Sequence, residues 1–152
     1  MKAWERWSFG ILSVIVGLTG FAYLWMKYFV ENLDPMAVIS HPWQPAMFSV
    51  HVIASPALIL VFGIVLNSHI IRKLGANRPP NRRTGLLSFG TFGTLVVSGY
   101  ALQVATNETL LRALVLAHVA SGTIFSVAYV GHLFISLKIT RSRGWQRVRE
   151  VA

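Results

Sequence analysis

A chain of 152 residues that is 54% hydrophobic, 12% charged and free of cysteine has the composition of a membrane protein, since soluble domains carry about 25% charged residues. The lack of cysteine excludes disulfides, thiolate catalysis, cysteine-ligated zinc, self-contained iron–sulfur clusters and covalent c-type haem attachment. The formal charge of +9 sits at the ends of apolar segments, so it reads as a topology signal and nucleic acid is not expected as a partner.

In chain order, four apolar segments are predicted to span a bilayer: residues 8–30, 46–71, 86–106 and 113–137. Each reaches the ~20 residues a helix needs to cross, and hydrocarbon leaves no other way to satisfy the backbone. The first segment is long and glycine-punctuated and has no clear small-x-small cleavage site, so it reads as a retained helix and not as a signal peptide. The loop "ENLDPMAVISHPWQP" that follows it holds three prolines and a tryptophan and reads as a short surface cap. In "GANRPPNRRTG", Pro79 and Pro80 stop the second helix and make an irregular connector. The tail, residues 139–152, is basic with one tryptophan and suits a position along anionic headgroups.

Basic residues alternate between the loops. Lys2 and Arg6 precede the first helix, Arg72, Lys73, Arg78, Arg82 and Arg83 lie between the second and third, and Lys138, Arg141, Arg143, Arg147 and Arg149 follow the fourth. The other two connections hold Glu31, Asp34 and Glu108 against one arginine, Arg112. The positive-inside bias therefore predicts an all-α integral membrane protein, a single four-transmembrane-helix bundle with both termini and the middle loop cytoplasmic. Nothing outside the membrane is large enough for a catalytic domain, so the function must lie with side chains inside the helices.

Four histidines stand out there: His51 and His69 in the second helix, His118 and His132 in the fourth. Ionisable groups at that depth are expensive and point to function. Fourteen residues separate His118 from His132, about 40° around an α-helix and about 21 Å along it; the eighteen from His51 to His69 return to one face about 27 Å on. The two helices run in the same direction, so His51 can pair with His118 near the outer surface and His69 with His132 near the inner one. Two facing neutral imidazoles form the axial ligand set of a six-coordinate haem iron, and helix bundles hold such cofactors between facing helices. The spacings differ by four residues, about 6 Å of rise. Tilt, or a kink at Pro56, absorbs part of it, and His41 is the alternative outer ligand.

The fourth-helix stripe His118, Gly122, Phe125, Tyr129, His132 places a glycine beside the first ligand, where a flat macrocycle could approach, and aromatics between the two levels. Gly17, Gly20, Gly90 and Gly93 are explained at least as well by close helix packing. Arg72 and Lys73 near the inner histidines, and Arg112 outside, are candidates for haem propionates, although positive-inside anchoring accounts for most of the arginines. The competing reading is a non-redox structural subunit, or a small proton or metal transporter using the same histidines. It lacks the acidic residues of a cation path, and two distant pairs do not make a compact metal site.

At "AHVASGTIFSVAYVGHLFIS", and less closely at "SVHVIASPALILVFGIVLNSHI", the chain resembles the bacterial membrane-bound di-haem b-type cytochromes, the group containing the cytochrome b subunits of formate dehydrogenase, nickel–iron hydrogenase and thiosulfate reductase. "RRTG" and "SGYAL" look like further shared elements, and the resemblance covers residues 45–138. It implies a bacterial inner-membrane location and two haem b groups, or one. It also implies electron transfer between the quinone pool and an extracytoplasmic iron–sulfur, multihaem or molybdenum partner subunit.

Overall fold

The computed structural model describes residues 2–31, 36, 38–71 and 82–151, with side chains at all of these except 68–70, 82, 84, 137 and 139–151. The protein is all-α, with no strand among the described residues. Helix α1 is Ala3–Tyr28, α2 is Gln44–Val65 continued by a π-helical stretch Leu66–Ile71, α3 is Arg82–Val104 and α4 is Glu108–Val151. All four are long and apolar enough to cross a membrane, which makes this a multi-pass membrane protein.

Three helices begin several residues before the apolar segments do, because polar residues cap the first turns. The Lys2 backbone N–H donates to Glu5 Oε2 at 2.8 Å, and this carboxylate lies where the α1 dipole favours negative charge. Asn107 Oδ1 accepts the Leu110 N–H at 3.0 Å and opens α4, with Glu108 in its first turn. α3 starts among the arginines at Arg82. α2 continues through Pro56 as an unbroken helix.

The far ends differ more from expectation. The last six residues of the second segment, Leu66–Ile71, which include His69, wind with i→i+5 bonding in place of the α-helical pattern. α4 does not stop near residue 137: its backbone stays helical to Val151, 44 residues or about 66 Å, against ~30 Å of hydrocarbon. The apolar span within α4 ends at Ser136, close to the expected limit, and the basic tail follows in the same backbone helix.

The chain divides into two compact units, Met1–Gly75 with α1 and α2, and Ala76–Ala152 with α3 and α4. Each is an antiparallel hairpin with a constant register. In the first, Phe9 packs on Phe62 (6.0 Å between centroids), Gly20 meets His51 and Tyr23 packs on Phe48 (5.2 Å); each pair of residue numbers totals 71. In the second, Gly85 faces His132, Phe92 packs on Phe125 (5.5 Å), Leu95 faces Gly122 and Gly99 faces His118, each pair totalling 217. Steps of three, four and seven along these faces are those of a coiled-coil seam. The seams bury Phe9, Leu58 and Val65 in one hairpin and Phe92, Phe125 and Ala128 in the other. Large apolar residues such as Leu18, Ile53, Val97 and Val127 point outward, as suits lipid-facing positions.

Candidate functional site

The histidines lie on these seams, and each ring takes its setting from the neighbouring helix of its own hairpin. His51 Nδ1 is 2.9 Å from the Val16 carbonyl oxygen of α1. A carbonyl only accepts, so Nδ1 carries the proton, and the neutral ring has its lone pair at Nε2. Gly20 makes the approach possible: a Cβ there would lie 2.8 Å from His51 Cε1 and 2.9 Å from Nδ1. The helical partner of the Val16 carbonyl is the N–H of Gly20 itself. A glycine one turn along thus uncovers the oxygen that the imidazole needs.

His118 repeats the arrangement with different chemistry. Its Nδ1 is 3.0 Å from Ser98 Oγ of α3. The Ser98 hydroxyl has one proton and directs it to the Thr94 carbonyl at 2.7 Å, so towards His118 it can only accept. His118 is therefore also protonated on Nδ1 with its lone pair on Nε2. Ser98 is buried, and Gly99 beside it leaves room for the ring: a Cβ there would come within 3.3 Å of His118 Cε1. Lower on the same seam, His132 Cε1 is 3.8 Å from the Cβ position of Gly85, an ordinary contact.

Between the two histidine levels of α4, Phe125 is stacked on Tyr129, with centroids 5.8 Å apart and planes 8° from parallel, and it packs on Phe92 of α3. The Gly122 Cβ position would meet Leu95 at 3.5 Å, so on this side Gly122 serves helix contact. Arg112 is exposed and ion-paired with Glu108 at 3.8 Å, within the first turn and a half of α4. Six residues before His118, it stands about 120° round the helix from the seam. His41 lies in the cap before α2, where its Nδ1 accepts the Trp43 N–H at 3.2 Å. In a neutral ring this leaves the proton on Nε2, the reverse of the tautomer in His51 and His118, and weakens the case for His41 as a substitute ligand. His69 lies in the π-helical stretch with its side chain outside the described residues, and Arg72 is outside them altogether.

Each histidine pair expected from the sequence takes one ring from each hairpin, and the His51 and His118 rings are each anchored within their own hairpin. Among the described residues, no three His, Asp or Glu side chains converge as a metal-ion cluster. The residues that the sequence did not single out as anchors are the Val16 carbonyl, Gly20, Ser98 and Gly99. Their signal was a glycine opposite a histidine across an antiparallel turn, which is readable only once the register is known.

No protein-family model, no curated protein and no solved structure matches this chain.

Proposed function

We propose that this protein transfers electrons across the membrane through non-covalently bound b-type haem, held by His51 with His118 towards one surface and by His69 with His132 towards the other. In this reading it links the quinone pool to a redox partner subunit of the extracytoplasmic iron–sulfur, multihaem or molybdenum kind. The observation that carries it is the common tautomer of His51 and His118. Each is tied at Nδ1 to an acceptor, Val16 O or Ser98 Oγ, which in a neutral ring leaves the basic lone pair on Nε2. Ligand histidines are held in this way, because an acceptor at the second nitrogen sets ring orientation and raises basicity.

The donor set therefore suits a haem: neutral imidazoles, no thiolate, and glycines that let the rings sit against the neighbouring backbone. A bound haem b would supply reversible one-electron chemistry at its iron. The chain's own work is to hold the rings and keep water out. Phe92, Phe125 and Tyr129 fill the seam between the two levels of α4 with apolar surface. A low-dielectric wall of this kind raises the influence of nearby charge on any redox centre.

The test is spectroscopic. Protein purified from cells with adequate haem supply is expected to show b-type bands in reduced-minus-oxidised spectra, with the pyridine haemochrome giving two haems per chain. His118→Ala and His132→Ala should each remove or perturb a different haem. Protein that carries no haem under these conditions would overturn the reading.

A further inference from the structure

Resting on the haem reading above, we propose that Lys27 is the anion-binding residue of the His51 site and pairs with a carboxylate at the edge of the macrocycle. From residue 7 to residue 71 the sequence holds one Lys or Arg, Lys27, and from 84 to 137 one, Arg112. Both lie at the loop ends of their hairpins, the ends that also hold His51 and His118, so each is a cation where positive-inside anchoring gives no reason for one.

Their settings differ. Arg112 lies 3.8 Å from Glu108 in an exposed pair and starts from a position about 120° round the helix from the His118 seam. Lys27 makes no salt bridge among the described residues and continues the seam of α1 in register: Gly20 meets His51, Tyr23 meets Phe48 one turn further out, and Lys27 follows one turn beyond. It stands about 10 Å along the axis from Gly20, on the same side of the helix, towards the water. Its Nζ lies 5.6 Å from the ring centroids of both Tyr23 and Tyr28, within cation–π range. The Tyr23 ring, itself on the seam, draws the exposed ammonium towards the α1 face that carries Gly20. A haem held at His51 needs its two carboxylates directed out of the hydrocarbon, and Lys27 is the cation in that direction.

Lys27 also favours the negative end of the α1 dipole, and the experiment separates that role from carboxylate binding. Full-length apoprotein in detergent is titrated with iron protoporphyrin IX and with its dimethyl ester, which lacks the carboxylates. The wild-type preference for the acid over the ester is expected to fall about three- to tenfold in Lys27→Gln and Lys27→Met, and to persist in Lys27→Arg and Arg112→Gln. A preference unchanged in both Lys27→Gln and Lys27→Met, or lost in Arg112→Gln and retained in them, overturns the assignment while leaving the haem reading intact. Wild-type protein that binds neither porphyrin overturns the haem reading and this inference with it.

Discussion

An imidazole buried in a helical seam has two nitrogens to satisfy, and at His51 and His118 the first is satisfied by an oxygen on the neighbouring helix. The two solutions differ in what they risk. The Val16 carbonyl cannot be mutated away, but access to it depends on Gly20. Gly20→Ala is expected to push the His51 ring off its acceptor and destabilise the fold by about 1–3 kcal/mol. Gly17→Ala, three residues earlier with nothing within 4 Å of the new methyl, should be neutral or slightly stabilising. Thermal unfolding of both variants in one detergent makes the comparison. Ser98 is vulnerable in the ordinary way: Ser98→Ala removes the acceptor for His118 Nδ1–H and should weaken haem binding about 10–100-fold, read as loss of the band assigned to that haem. Ser13 is the reverse case, a buried hydroxyl in α1 with no hydrogen-bond partner among the described residues. Ser13→Ala should unfold no earlier than wild type, since it removes an unsatisfied group.

The elements carry their own devices. Hydroxyls on the membrane helices fold back onto carbonyls one turn earlier, as Thr91 does to Leu87 (2.8 Å), Ser126 to Gly122 (2.8 Å) and Ser55 to His51 (2.6 Å), so they enter hydrocarbon satisfied. The π-helical stretch Leu66–Ile71 matters most for the proposed inner ligand. An i→i+5 turn takes in more residues than an α turn, which changes the backbone angle and the rise per residue through the stretch that carries His69. Deleting Asn67, which removes the extra residue, should restore α-helical winding; if the π turn positions the inner ligand, the variant retains one haem per chain by pyridine haemochrome instead of two. Two haems with unchanged spectra would show that the π turn has no part in ligation.

For the whole molecule, charge and span together determine sidedness. Basic residues gather at both ends of the chain and between the second and third spans, and with four spans this predicts that those three parts share the cytoplasmic side. The natural absence of cysteine makes this simple to check. In intact cells a membrane-impermeant maleimide should label Asn107→Cys, and it should label Ser142→Cys only after the cells are opened. The reverse pattern would invert the topology and exchange the outer and inner assignments of the histidine levels. The 44 residues of α4 carry the backbone helix through the cationic stretch 138–149, past the end of the apolar span at Ser136.

The sequence alone established the class of this protein: four spans, their approximate limits, the sidedness expected from charge, and the histidines placed deep enough to need explaining. These follow from composition and from the 3.6-residue period, which are local properties of the chain. The structure decided what each ring touches. His51 reaches a carbonyl 35 positions away and His118 a hydroxyl 20 positions away, and neither acceptor can be chosen without the antiparallel register that brings it there. For the same reason Gly20 reads as generic packing in the sequence, although its neighbour is a histidine ring, and the change from α to π winding at Leu66–Ile71 depends on how the helix end is packed and bonded and not on any periodicity in its residues.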